Sequence, residues 1–404
     1  MSDIKFQVIK KIAETNFKYK NLGSISKVDS ISPPSVFIGS KLRYPAVNVG
    51  ILSPLEKDEN AWLYDDEKYW AENNFQIQDV LKLRNSLLNS RFQSHVYDAR
   101  LNKKFLGIAK DIAIASRPVD VEIELKKDLN FDSGRDQIVT PHGMHAGLKN
   151  AKVTGNVRID AKVDKVMNDE IKASESMELL YKNNFDGYSL SQILSVGVLG
   201  LKKNRKLVPT RWSITATDDT IGKMLLKKVK ECKWIENHEL FTGEFLGNQY
   251  LILLLPSAFS FELFELYVPG SSWNPSSEMK ASTDYESFSG RKTYASATAG
   301  GYYATRLAIL EYLESIKRQA GILAIRIETP TYWAGLGVWV VRESVRKTMS
   351  NEHFEFDNLN DFIMMSKQIG KRKFNFDYSP IMEKSKVLKM ISTQRKLSDF
   401  FMGS

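Results

Sequence analysis

Cys232 is the only cysteine in the chain, and that removes two ways of holding 404 residues together. A disulfide framework needs pairs of thiols, and a cysteine-based zinc ribbon needs several in one place. The fold must rest on an apolar core. The composition can supply one, because 43% of residues are hydrophobic and seven are tryptophan, against 26% charged. That balance is ordinary for a folded, water-soluble protein of two or three domains or one large body. Met1 to Lys20 carries charges throughout and does not read as a signal peptide. The longest apolar run, Tyr250 to Pro256, is far too short to span a bilayer. A cytoplasmic protein is expected.

Hydrophobic periodicity mixes both kinds of element. Val119, Val121, Ile123 and Leu125 alternate with Asp120, Glu122 and Glu124, which predicts a half-buried strand. Further strands are expected over Val47–Leu52, Gln249–Leu255, Phe259–Val268, Ile322–Ile327 and Leu336–Val341, with the Gln249 and Phe259 segments as antiparallel neighbours around Pro256. Helical spacing runs through Asp65–Trp70, Ile77–Leu88, Phe105–Ser116 and Asp169–Tyr181. A long helix opens at Gly300-Gly301 and continues to Ala320. No regular βαβ rhythm and no repeat emerges. The expected class is α+β: a mixed α/β globular body over 1–375, with room for two lobes meeting near 200–230, and a flexible basic tail over 376–404.

The charge of +9 is concentrated. Residues 201–230 hold nine Lys/Arg against Asp218 and Asp219, a net of +7, and residues 371–404 hold eight against three acids, a net of +5. Local positive charge of this kind suits a polyanion, nucleic acid first, and equally suits a solvated face. Lys202, Lys203, Arg205 and Lys206 lead into LVPTRWSITATDD, Leu207 to Asp219. Pro209 biases its neighbourhood towards extended backbone. Arg211 and Trp212 offer a cation beside a stackable ring. Ser213 to Thr217 alternates like a short strand, and Asp218 and Asp219 either cap a helix starting near Thr220 or present two carboxylates at a strand end. Arg91 and Arg100 flank another aromatic-bearing segment.

Two weaker signals remain. His142 and His145, with Asp132 or Asp136, have loose metal-ligand spacing in a polar loop, and an ordinary loop explains them as well; no metal site is assigned. Gly300-Gly301 at a helix start, with Arg306 one turn on, is compatible with a phosphate or with close backbone packing.

Taken together, Lys41-Leu42-Arg43-Tyr44-Pro45, Ser116-Arg117-Pro118-Val119-Asp120, Gly197 to Asp219 with its VPTRWSIT core, Gly300 to Arg306, Gly337 to Glu343 and the terminal Gln394 to Phe401 resemble the archaeal Nre family of DNA-repair proteins, in its NreA branch. The resemblance covers most of the chain. It implies a role in the DNA-damage response and a tail that binds the replication sliding clamp (PCNA). It carries no settled reaction and names no cofactor. Many relatives of this kind begin with a four-cysteine zinc motif; this chain has no cysteine before Cys232, so any role of that module is expected to be absent or supplied elsewhere.

The tail, Gln394-Arg395-Lys396-Leu397-Ser398-Asp399-Phe400-Phe401, is similar to the clamp-binding peptide of many replication and repair proteins. In one 3₁₀ turn Leu397 and Phe400 project together with Phe401 beside them, while Gln394 offers an amide to a pocket rim. The expectation is a DNA-repair factor that engages DNA through Lys202, Lys203, Arg205, Lys206, Arg211 and Trp212. The alternative is an enzyme acting on damaged DNA or a nucleotide, with Arg211, Asp218, Asp219, Arg43 and Arg117 converging on one cleft. A protein-only adaptor with solvated basic patches is the third.

Overall fold

The alternation across 119–125 is realised as expected: Val119, Val121, Ile123 and Leu125 are buried while Glu122 faces solvent. The strand they form belongs to the first of two compact units, 2–221 and 222–404, in a computed structural model that describes residues 25–39, 44–129 and 143–393. Among the described residues no helix is long and apolar enough to cross a membrane.

In the first unit β1 (Ile25–Ser32), β2 (Val36–Gly39), β3 (Ala46–Pro54), β4 (Leu87–His95), β5 (Val119–Leu129) and β6 (His145–Val153) form one sheet in the order β1-β5-β6-β4-β3-β2. The β4–β6 pair is parallel and the others antiparallel. The helix Lys104–Ile114 buries Leu106, Ala109, Ile112 and Ala113. Its Phe105 meets the Phe92 ring of β4 at 5.7 Å. Asp65 ties three elements of this unit together, accepting from Ser35 Oγ, Arg84 and the Tyr188 hydroxyl. Burial pushes the Tyr188 hydroxyl well up, and the Asp65 charge beside it adds to the effect.

The second unit begins with β7 (Lys233–Trp234), β8 (His238–Phe245), β9 (Asn248–Leu255), β10 (Ser260–Tyr267) and β11 (Lys280–Glu286). It continues with β12 (Arg318–Gln319), β13 (Gly321–Glu328) and β14 (Phe354–Phe356). Its main sheet runs β11-β10-β13-β9-β8-β14, and β12 pairs with β7. The helices Leu359–Phe374, Ser379–Lys384 and Lys386–Thr393 cover one face, where Phe362, Tyr378, Met382 and Val387 join Leu253, Leu323 and Ile325 in a common core. Residues 376–393 are thus helical and held to the sheet, whereas 394–404, with Gln394, Leu397, Phe400 and Phe401, lie outside the described residues.

The opposite face carries charge. Strand register aligns Ser282, Glu265, Arg326 and Tyr250 in one row. Arg326 bonds Glu265 at 2.6 Å and Glu328 at 3.0 Å, all three almost fully buried. Burial would push the Arg326 guanidinium down; the Glu265 carboxylate, then Tyr250 and Glu328, hold it above its usual value instead. Nearby, Arg306 pairs with Glu286 at 2.8 Å.

Three local expectations need correction, and a fourth is borne out. β9 and β10 are separated by β13, antiparallel to one and parallel to the other; a strand from far along the chain has inserted between them. Leu336–Val341 begins the helix Trp339–Ser350 and is no strand. Ser213–Thr217 lies inside the helix Thr210–Val229, so Asp218 and Asp219 sit mid-helix and neither cap it nor end a strand. Gly300-Gly301 does open a helix, Ala299–Ser315. A Cβ on Gly301 would stand 2.1 Å from Glu265 Oε1, and Asp284 accepts from Thr298 N at 2.9 Å. Carboxylates already occupy that helix end, so the glycine serves close packing.

Candidate nucleic-acid interface

Three separated segments of the first unit are joined by main-chain bonds. Val96 N donates to Pro45 O at 3.0 Å, and Leu207 N donates to Val96 O at 2.8 Å. Each contact exposes its neighbours: Tyr44 is 53% exposed and Tyr97 44%, with Lys206 exposed beside them. Lys206 Nζ lies 5.0 Å from the centre of the Tyr97 ring, and the Arg100 guanidinium 5.2 Å from it. Trp212, 48% exposed, meets the Tyr44 ring at 5.5 Å. Ile38 N donates to Thr210 Oγ1 at 2.9 Å, holding the start of the Trp212 helix to β2.

The turn that presents Tyr97 is built around Asp98. Its carboxylate accepts from Ser94 Oγ at 2.9 Å and His95 N at 2.8 Å, and pairs with Lys103 at 2.7 Å. Burial works to raise this carboxyl, yet Lys103, the His95 N–H and Ser94 together hold it below its usual value. Exposed rings alternating with cations on a main-chain-locked surface are what a nucleic-acid strand requires: faces on which bases stack and charges for phosphates.

The basic residues divide in role. Lys203, Lys206 and Arg211 are exposed, and Lys202 makes only a loose 3.9 Å pair with Glu170. Arg205 is a clasp. Its Nε donates to Gly200 O at 2.9 Å and its Nη2 to Met167 O at 2.6 Å. Its own carbonyl accepts from Arg100 Nε at 3.0 Å. Burial pushes its guanidinium down. Asp218 is buried and Asp219 half-buried; successive helical residues diverge by roughly 100°, so the two carboxylates do not form a joint ligand pair. Arg117 is exposed in the connection ahead of β5, Arg43 and His142 lie outside the described residues, and His145 opens β6. No group of three or more His, Cys, Asp or Glu suited to a metal ion occurs among the described residues. Tyr97 and Tyr44 were not marked as site residues by the sequence. The signal for Tyr97 was its position between Arg91 and Arg100.

Comparison with known proteins bears on the whole chain. Two family models match consecutively, described as Archaeal Nre, N-terminal over residues 3–274 and Archaeal Nre, C-terminal over residues 286–400. The chain belongs to the archaeal Nre family. A DNA repair protein NreA of Haloferax volcanii is 40% identical over 336 residues, covering 82% of this chain and 80% of the relative. A DNA repair protein NreA of Archaeoglobus fulgidus is 35% identical over 388 residues, covering 95% and 93%. A DNA repair protein NreB of the same organism is 34% identical over 371 residues, covering 91% and 90%. This Nre chain is NreA-like. No solved structure matches it.

Proposed function

We propose that this Nre-family chain is a DNA-repair factor that engages DNA through the Tyr44–Tyr97–Trp212 surface and is recruited to the sliding clamp by Gln394, Leu397, Phe400 and Phe401. The relatives' names support the repair role. The observation that carries DNA engagement is Tyr97 with Lys206 and Arg100 both within 5.2 Å of its ring centre. Cations beside an exposed ring are placed to meet phosphates while the exposed part of the ring offers stacking surface to a base.

The test is fluorescence anisotropy with a single-stranded oligonucleotide over a range of salt. Tyr97→Ala and Trp212→Ala are expected to weaken binding by about 1–3 kcal/mol each. Lys206→Ala with Arg100→Ala should flatten the salt dependence by about 0.7 per lost phosphate contact. Unaltered affinity and slope in all three variants would refute the reading. Clamp recruitment is tested separately by calorimetry: changing Phe400 and Phe401 to Ala should abolish clamp binding without lowering Tm.

A further inference from the structure

One face of the β2–β3–β4–β6 sheet sets polar side chains beside Phe37 and Leu52 where a core face would be aliphatic throughout. Register sets Asn48 opposite Gln93, Gly50 opposite Arg91 and Leu52 opposite Asn89. Across the parallel ladder Asn89 lies beside His145 and Arg91 beside Gly147. Paired residues share a face, so these side chains stand together. Along β4 the face opens progressively: Asn89 is 1% exposed, Arg91 is half-buried, and Gln93 and His95 are exposed. The His95 ring meets Tyr97 at 5.1 Å, which makes the face continuous with the aromatic surface already described.

The floor of this face is unfinished. Asn89 lies directly over Gly50, where a Cβ would come within 1.9 Å of its Oδ1. Both Asn89 Oδ1 and Nδ2 are buried and make no hydrogen bond, and the same holds for Arg91 Nε. Burial alone pushes the Arg91 guanidinium down, with no carboxylate offsetting it. The Lys126 side chain crosses Gly147 on the same face. Buried amides and guanidinium nitrogens nearly always find partners within a protein, and each exception calls for a missing one. The chemistry of that partner follows from the groups. An Asn amide offers a donor and an acceptor side by side, matching the edge of a base such as adenine. A guanidinium with no carboxylate matches a phosphate. The two residues are two apart on one strand, roughly 6–7 Å, a spacing that base and phosphate of one nucleotide can bridge.

We infer that this face is a nucleotide site in which Arg91 takes the phosphate, Asn89 hydrogen-bonds the base edge, and Gly50 keeps the floor clear for the Asn89 amide. Its continuity with the Tyr97 surface rests on the DNA-engagement reading; the Asn89–Arg91 pair does not. Two sources carry this chemistry, a free nucleoside monophosphate and the phosphorylated end of a DNA strand.

The experiment titrates the full-length protein with dAMP by calorimetry, and with oligo-dA bearing a 5′-phosphate or a 5′-hydroxyl by anisotropy. Asn89→Leu removes an unbonded buried amide, so it is expected to raise Tm while weakening the bound ligand about tenfold or more. Arg91→Ala should weaken every phosphorylated ligand about tenfold and leave Tm unchanged. Binding of dAMP identifies a free nucleotide as sufficient; a preference for 5′-phosphate without dAMP binding identifies a strand end. A Tyr97→Ala, Trp212→Ala double variant that loses oligonucleotide but keeps dAMP separates this site from the aromatic surface. If that variant binds the oligonucleotide normally, the DNA reading falls while the dAMP titration still decides the site. The inference is overturned if wild-type protein binds neither dAMP nor a 5′-phosphate preferentially, if both single variants bind like wild type, or if Asn89→Leu lowers Tm.

Discussion

Glu262 of β10 accepts a 2.6 Å hydrogen bond from Ser385 Oγ, and the same carboxylate oxygen accepts from Val387 N at 3.1 Å. Glu262 is 1% exposed, so one buried carboxylate fastens the start of the last described helix, Lys386–Thr393, to the sheet. A carboxylate at a helix N-terminus is favourable twice, through the free N–H groups and through the dipole. Ser385→Ala is therefore expected to cost about 1–3 kcal/mol. Limited proteolysis should show earlier cleavage within 386–393 while the helix Ala299–Ser315 stays protected. Equal protection of residues 386–393 in wild type and Ser385→Ala would mean the apolar contacts of Val387 suffice alone.

The basic cluster before Trp212 should not behave as one unit. Arg205→Ala removes bonds to the carbonyls of Gly200 and Met167 and should lower Tm by several degrees. Lys202→Ala and Lys203→Ala, both at exposed positions, should leave Tm unchanged, since loose surface pairs contribute about 0–1 kcal/mol. If Lys203→Ala weakens DNA binding and Arg205→Ala does so only in proportion to unfolded protein, the division of roles holds. Thermal melts alongside anisotropy decide it.

Legibility followed range. The alternation over 119–125 and the helix after Gly300 were local and readable. A helix was expected from near Thr220, but its first ten residues, from Thr210, were missed because Ile214, Thr215 and Thr217 are β-branched and mimic an alternating strand. What turns the segment helical is burial of Ser213, Thr217 and Ile221 at four-residue spacing, a stripe whose first two members are small and polar and give no hydrophobic signal. The short run Leu336–Val341 is ambiguous by length alone. The insertion of β13 between β9 and β10, the contact of Val96 with both Pro45 and Leu207, and the polar face under Asn89 all depend on long-range register, which no local pattern encodes.

Asp98 makes the presentation of Tyr97 sensitive to acid. A carboxyl held below its usual value in the folded state contributes stability that is complete above the unfolded value, roughly 3.9, and fades as pH falls through the lower folded one. The Tm difference between wild type and Asp98→Asn should be constant above about pH 5 and shrink below about pH 4. Near neutral pH Asp98→Asn should also weaken oligonucleotide binding, because the Tyr97 turn loses its charged anchor to Lys103. A Tm difference that stays constant down to pH 3 would assign the carboxylate no such role.

Arg326 gives the sharpest stability test, because two carboxylates share it. Glu265 lies 2.6 Å and Glu328 3.0 Å from its guanidinium, and Asn248 Oδ1 accepts from it at 2.6 Å. Replacing Arg326 by Ala leaves two buried acids facing each other without a cation. Breaking a buried pair in this way costs about 3–5 kcal/mol. Glu328 already has its carboxyl raised by burial against the pull of Arg326, so the variant should recover part of its loss as pH falls and this carboxyl takes up a proton. The sign is opposite to that for Asp98: the folded-state value of Glu328 lies above the unfolded one and rises further with the cation gone, so acid favours the folded form. Glu328 also holds the loop after β10, accepting from Ser272 Oγ at 3.2 Å and Trp273 N at 3.1 Å. Fluorescence of Trp273, 65% exposed, should report loosening of that loop before global unfolding. Denaturant melts of Arg326→Ala at pH 8 and pH 5 check the claim; a variant equally destabilised at both pH values would show that Glu328 remains ionised without its cation.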